Sequence, residues 1–132
     1  MRQSSPLRTP IKRARGLGSA KSGTHHFWVQ RVSAVALIPL SIWFMVTLVG
    51  QLLGESREDI ALWHHHPLNA LALGALIVAL FLHARLGIQT IIEDYVQHEG
   101  KKIVLLLVLN AIVFGFGAAS LLAIARLHFF GI

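Results

Sequence analysis

The sequence predicts an all-α membrane protein with three transmembrane helices. Of its 132 residues, 55% are hydrophobic and only 14% are charged, whereas soluble globular domains carry about 25% charged residues. Three segments, 32–54, 67–92 and 103–125, carry no charged side chain except Arg85, and each exceeds the roughly 20 residues that a helix needs to cross a hydrocarbon core. A soluble three-helix domain would have too little polar sequence to cover them.

The first 23 residues form a separate basic segment. They hold six Lys and Arg residues and no acidic residue, and they are interrupted by two prolines. Such a segment cannot bury a core. We expect a flexible tail that meets anionic lipid head groups and a neighbouring protein of the same complex. A mitochondrial transit peptide and nucleic-acid contact remain as alternatives for this composition.

The transmembrane domain spans residues 24–132, with helices expected at about 32–53, 67–95 and 103–127. The connection 55–66 ends in His64-His65-His66. Neighbouring histidines do not converge on one ion, so we expect an exposed, solvated loop there rather than a metal site. The chain has no cysteine, which excludes thiolate ligands.

Two features of the third predicted helix favour packing against a neighbouring helix. Asn110 is the kind of side chain that forms hydrogen bonds between helices within a membrane. Gly115 and Ala119 make a pair of small residues four positions apart, and such pairs let helices approach closely. We therefore expect Asn110 to bond another helix, and Gly115 with Ala119 to form a close-packing face.

The basic residues predict the orientation. Nine Lys and Arg residues lie in the tail, at Arg31 and at the turn with Lys101 and Lys102, against Arg57 and Arg126 on the other side. By the positive-inside rule the N-terminus is cytoplasmic and the histidine connection is outside. The C-terminal end of the second helix then lies at the cytoplasmic surface.

The second helix carries two ionisable residues, His83 and Arg85, at membrane depth, where such groups indicate function. At about 100° per residue, His83 shares its face mostly with small side chains, whereas Arg85 points nearly the opposite way. This face comprises Asn69, Ala72, Leu76, Ala79, Gly87, Thr90 and Asp94. Arg85 can extend toward the cytoplasmic head groups. His83 either bonds a neighbouring helix or serves as an axial ligand of haem iron.

The positions of the other histidines bear on the haem hypothesis. All seven lie in the tail, in the connections or near helix ends: His25, His26, His64, His65, His66, His98 and His128. If His83 ligates haem, a second protein ligand must come from another chain.

Asp94 and Tyr95 end the same helix, about 18 Å along its axis from His83. They are either a helix-end charge and an interfacial aromatic residue or a second site. One helix can therefore serve one site at depth and another at its end.

These residues resemble the hydrophobic membrane anchor family of succinate dehydrogenase, respiratory complex II. The family pattern of a histidine, a glycine four residues later and an acidic-Tyr-Val ending is matched by His83, Gly87 and residues 94–96. Residues 26–34 and the basic stretch 15–20 are similar to alphaproteobacterial members. The third helix is similar only in its hydrophobicity.

The resemblance implies a membrane component of an enzyme that performs no covalent chemistry itself. His83 would be one axial ligand of haem b, and the cytochrome b subunit would supply the other and complete a helical bundle. Tyr95 would contact ubiquinone, and Asp94 would assist proton delivery or fix local geometry. Arg31 would meet a haem propionate or the quinone pocket.

The resemblance also implies two soluble partners, the flavoprotein and iron–sulphur subunits, in a complex of the respiratory chain and tricarboxylic acid cycle. The bacterial inner membrane is the expected location, in preference to the mitochondrial inner membrane. Two alternatives stay open. One is a haem-free quinone-site anchor of the fumarate reductase type, and the other is a small structural or transport subunit.

Overall fold

The computed structural model describes residues 23–54 and 56–131, which form four helices and no strand. They are α1 (Gly23–Leu53), α2 (Arg57–His65), α3 (Pro67–Tyr95) and α4 (Glu99–Phe130). Helices α1, α3 and α4 are long and apolar enough to cross a membrane, which confirms the prediction of an all-α protein with three spans. Residues 1–22 of the basic tail lie outside the described residues.

The bounds of α3 agree with the predicted ones, and a proline explains where it begins. Pro67 occupies the first turn, and His66 before it is extended, with φ −72° and ψ 122°. A residue before proline avoids the helical region, while proline itself suits the first turn because it lacks an N–H that would need a partner. Both α1 and α4 extend beyond their apolar segments at one or both ends.

The short helix α2 corrects the prediction of a solvated loop between the first two spans. The Asp59 N–H donates to Ser56 Oγ at 3.2 Å, and the Ser56 N–H donates to the Asp59 carboxylate at 3.2 Å. This capping box satisfies two backbone donors at once. Glu58 and Asp59 also lie in the first turn, where negative charge stabilises a helix.

The long helices lie with α3 between the other two. Helix α3 packs along both α1 and α4, whereas α1 and α4 make no extensive contact with each other in the described part of the chain. Three of the few buried side chains, Leu76, Ala79 and Leu86, belong to α3. Most apolar side chains of α1 and α4 are exposed, as expected for surfaces that face lipid or other chains.

Close packing of α4 on α3 uses Gly117, so the expected role of Gly115 and Ala119 is wrong within this chain. A Cβ added at Gly117 would lie 3.8 Å from the Phe81 ring, whereas one added at Gly115 would meet nothing within 4 Å. Seven residues separate Asn110 from Gly117, which places them about 20° apart on the helix, while Gly115 lies about 140° from Asn110. The face of α4 that bears Asn110 therefore packs on α3.

Helix α2 is held against α1 and α3 by one tryptophan. The Trp63 ring stacks on Trp43 of α1 with centroids 5.7 Å apart. The Asn69 side-chain amide of α3 donates to the Trp63 carbonyl at 2.9 Å. The same carbonyl, in the last turn of α2, also accepts from the His66 N–H at 3.3 Å, so the Asn69 bond is a second one that ties the helix end to α3.

A reciprocal pair of imidazole–carbonyl bonds, which we call the end latch, ties α2 to α4. The His65 Nδ1–H donates to the His128 carbonyl at 2.7 Å, and the His128 Nδ1–H donates to the His64 carbonyl at 3.2 Å. Gly131 follows with φ 77°, and a Cβ there would lie 3.3 Å from His65 Nε2. Two of the three consecutive histidines therefore contribute to the joint between α2 and α4.

Replacement of Gly117 by leucine should disrupt the α3–α4 contact. The leucine side chain would collide with Phe81, so we expect the free energy of unfolding in detergent micelles to fall by about 1–3 kcal/mol. Gly115→Leu is the matched control, because it makes the same change in helix propensity on an open face. Equal destabilisation by both variants would contradict the assigned packing face.

Candidate functional site

The His83 imidazole is half-buried and is held against α1 through Nδ1. Nδ1 lies 3.3 Å from the Gln30 carbonyl oxygen and 3.2 Å from Ser33 Oγ, and the Ser33 hydroxyl donates to the same carbonyl at 3.0 Å. Because a carbonyl only accepts, the contact with Gln30 is a hydrogen bond when Nδ1 carries the imidazole proton, and we assign the proton there. Nε2 then bears the lone pair, and it has no hydrogen-bond partner among the described residues.

Small and buried groups let α1 approach the imidazole. Ser33 is only 5% exposed and is the one buried polar side chain in the described segments. A Cβ at Gly87 would lie 3.8 Å from Gln30 Nε2. The predicted interhelical bond of His83 therefore exists, and it occupies only one of the two ring nitrogens.

An open apolar groove of about 790 Å³ lies along α3 between α1 and α4. Its lining includes Ser33, which contacts His83, as well as Ala79 and Leu82 from the turn that precedes the histidine. His83 itself does not line the groove. The volume falls within the roughly 300–1,000 Å³ that is usual for sites of small molecules and cofactors.

The predicted second site lies at the C-terminal end of α3. Tyr95 is 82% exposed, and Asp94 is exposed beside it. Neither side chain has a hydrogen-bond partner within residues 23–54 and 56–131. A phenol that can donate and a carboxylate that can accept a proton are thus both available at this end of the molecule.

Arg31 does not lie beside Tyr95. It is exposed on α1, with its guanidinium 5.2 Å from the centre of the Phe27 ring. It follows Gln30, whose carbonyl contacts His83. Of the two predicted sites, Arg31 therefore lies nearer in depth to the histidine.

The structure separates Arg85 from His83, as the helical geometry predicts, and Arg85 does not take the alternative of extending toward the head groups. The Arg85 Nε–H donates to Asn110 Oδ1 of α4 at 2.7 Å, and the guanidinium lies 5.9 Å from the centre of the Phe114 ring. Phe114 lies one turn further from the start of α4 than Asn110, so the arginine extends away from the nearer helix ends. The prediction that Asn110 bonds another helix is confirmed.

In the described residues, no group of three or more His, Asp or Glu side chains is arranged to hold a metal ion. A haem iron ligated by one residue of this chain does not require such a group. The chemistry of the His83 site fits this ligation, because the Nδ1–H is bonded to protein acceptors and the Nε2 lone pair is uncommitted.

Two contributors to the His83 site are missing from the sequence predictions. Ser33 is a polar residue in an apolar segment, which is a weak signal on its own. The Gln30 contribution comes from its backbone carbonyl, which every residue type possesses, so no sequence pattern could indicate it.

Fold and site together define a multi-pass helical membrane protein with a histidine near the middle of its central helix and a polar end to that helix. The sequence profile of the succinate dehydrogenase/fumarate reductase transmembrane subunits matches residues 5–119, and the chain belongs to this family.

Named relatives agree with this assignment. The chain is 36% identical over 121 residues to the succinate dehydrogenase hydrophobic membrane anchor subunit of Paracoccus denitrificans, a match that covers 90% of this chain and 91% of the relative. It is 37% identical over 93 residues to the protein of the same name from Rickettsia bellii, with 69% and 72% covered. The membrane anchor subunit of Reclinomonas americana is 29% identical over 94 residues, with 70% and 78% covered. No solved structure matches the chain.

The tautomer of His83 is directly measurable. In ¹⁵N-histidine NMR spectra of the chain in micelles at neutral pH, we expect His83 to carry its proton on Nδ1. Ser33→Ala removes one acceptor and should weaken this preference, whereas Ser41→Ala, at an exposed serine eight residues further along α1, should not alter it. An Nε2–H signal for His83 in the unaltered chain would contradict the site geometry.

Proposed function

We propose that this chain is the membrane anchor of a succinate:ubiquinone oxidoreductase, in which it supplies one axial ligand of haem b and part of the ubiquinone-reduction site. The observation that carries the haem assignment is the His83 imidazole, held through Nδ1 on α1 with the Nε2 lone pair available. Family membership and the names of the relatives support the anchor role.

In this proposal the residues around His83 orient the ligand. Bonds from Nδ1–H to Ser33 and the Gln30 carbonyl restrict ring rotation and keep the proton off Nε2. Partners of this kind also raise the basicity of the ligating nitrogen. When bound, haem b supplies a one-electron redox centre within the membrane.

The second axial ligand is assigned to the cytochrome b subunit. The other histidines of the described segments lie near helix ends, and His83 lies about 18 Å along α3 from Tyr95 and about 24 Å from Pro67. None of them is level with His83, and the nearest, His26, lies one turn before Gln30, about 6 Å along α1. The apolar groove beside Ser33, with a volume of about 790 Å³, has the size that is usual for a cofactor site.

The quinone contact is assigned to the C-terminal end of α3. The exposed Tyr95 hydroxyl donates a hydrogen bond to a quinone carbonyl, and Asp94 holds or delivers a proton there. Arg31 is assigned to a haem propionate rather than to this pocket, because it follows the residue that contacts His83. Charge-assisted bonds from a guanidinium to a carboxylate are strong.

The flavoprotein and iron–sulphur subunits are assigned to the side where α3 ends. The distribution of basic residues makes that side cytoplasmic, in a bacterial inner membrane. Electrons from succinate then arrive beside Tyr95.

A haem-free anchor of the fumarate reductase type is the alternative, since the family description names both enzymes. The anchored His83 favours the haem-binding form, because a histidine with only a structural role does not need an uncommitted Nε2.

The haem assignment predicts that His83→Leu abolishes the haem b absorbance of the purified complex, because no other histidine of the described segments has its depth. His66→Ala is the control, since that side chain is exposed and makes no capping bond. Retention of the full haem spectrum in an assembled His83→Leu complex would exclude this ligand.

Tyr95→Phe removes one hydroxyl and keeps the ring. We expect quinone reduction to slow by about 3- to 10-fold, which corresponds to the loss of one hydrogen bond. Succinate oxidation with an artificial acceptor should be unchanged. If both activities fell equally, the residue would act in assembly and the quinone assignment would fail.

A further inference from the structure

The Arg85 guanidinium lies far from the ends of helices α3 and α4. Arg85 is ten residues from the end of α3, and Asn110 and Phe114 are eleven and fifteen residues from the start of α4. At 1.5 Å per residue, these positions lie about 15, 16 and 22 Å from those helix ends, while the middle of α3 lies about 21 Å from its end. The cation is thus close to the middle of the transmembrane segment.

This cation is only partly satisfied by its own chain. Asn110 accepts from Nε–H and is neutral, and the N–H groups on the two Nη atoms have no acceptor among the described residues. Every acidic residue of the full sequence lies within 55–59 or 93–99, close to helix ends. The chain therefore supplies no counter-charge at the depth of Arg85.

The guanidinium is also accessible. Within the described residues, Gln51 Nε2 is the one buried side-chain polar atom that lacks a hydrogen-bond partner. The Arg85 Nη atoms also lack a partner but are not among the buried atoms. They therefore lie at the surface of the helices. At this depth the surroundings are either hydrocarbon or another protein chain. A bare cation is too unfavourable in hydrocarbon, which leaves another chain.

We propose that the α3–α4 face around Arg85 and Phe114 docks a transmembrane helix of another protein chain that brings an Asp or Glu carboxylate to the Nη groups. A hollow of about 260 Å³ beside Arg85, lined by Phe81, Phe114 and Gly117 among others, is below the usual size of a ligand site. It suits the side chains of a packed helix instead.

The charge and the depth of Arg85 favour a different protein chain over a second copy of this chain or a phospholipid. A second copy of the chain has no acidic residue at this depth. A phospholipid phosphate lies beyond the hydrocarbon core, more than about 15 Å from the bilayer centre, and Arg85 extends toward Phe114, away from the nearer membrane surface. The proposal does not rest on haem ligation, because His83 lies about 200° around α3 from this face.

Photo-crosslinking of the intact complex in native membranes tests the contact without altering Arg85. Phe114→p-benzoylphenylalanine should crosslink to a different membrane protein, at a peptide with an Asp or Glu inside its transmembrane segment. Phe116→p-benzoylphenylalanine is the matched control, since Phe116 is similarly exposed, 65% against 67%, but lies about 200° around α4. An adduct only with lipid, only with a second copy, or with a peptide that lacks a transmembrane acid would overturn the proposal.

Asn110→Asp provides the complementary test, because it would place a carboxylate on Arg85 from within the chain. This carboxylate should compete with and repel the partner's, so the affinity for the crosslinked chain in detergent should fall by about 30-fold or more. Replacing the partner's acid by its amide should restore the affinity of the Asn110→Asp chain. Unchanged affinity in Asn110→Asp would show that Arg85 serves only the α3–α4 pair, and the proposal would fail.

Discussion

The hydrogen bond from the His83 Nδ1–H to the Gln30 carbonyl is the interaction on which the arrangement of α1 and the chemistry of the site both depend. Inside a membrane, apolar surfaces do not distinguish one helix from another, because lipid tails are equally apolar. Polar pairs and small residues therefore decide which faces meet. Helix α3 contacts α1 through His83 and α4 through Arg85, on nearly opposite sides. Each of these residues therefore helps to select one neighbouring helix. Each such bond contributes only about 0.6 kcal/mol on average, and its effect lies in setting register more than in adding stability.

Sequence patterns predicted the features that depend on composition and helical periodicity. The three spans, the bounds of α3, the opposed directions of His83 and Arg85, and the interhelical role of Asn110 agree with the structure. Three details differ. Helix α2 was predicted as a loop because its nine residues are too few to show a helical hydrophobic period. The packing face of α4 was misjudged because that helix is apolar on all sides, so periodicity cannot select one. The role of Arg85 stayed open, with the head groups as one alternative, because a single sequence does not reveal that Asn110 lies beside it.

The candidate site was predictable only in part. The spacing of His83, Gly87 and the Asp94-Tyr95 end is visible in the sequence, and so is the absence of another histidine at the same depth. The partners of His83 are a backbone carbonyl and a serine fifty residues or more away, and such pairing follows from the contact of two helices rather than from a motif. The apolar groove likewise exists because α1 and α4 both pack on α3 without extensive contact between them. Because His83 and Tyr95 lie on one continuous helix, the helix fixes the distance between the proposed haem ligand and the proposed quinone contact.

The end latch also constrains how the molecule comes to be assembled. Its two halves are 63 and 64 residues apart in the chain, and α4 is synthesised after α2. The His65 side chain and the His64 carbonyl therefore lack these partners until α4 has been inserted into the membrane. A chain whose translation stops before His128 would keep every residue of α1, α2 and α3 and yet could not close this joint. The histidine pair thus makes the insertion of α4 a condition for joining α2 to α4, whereas Trp63 holds α2 on α1 and α3 without it.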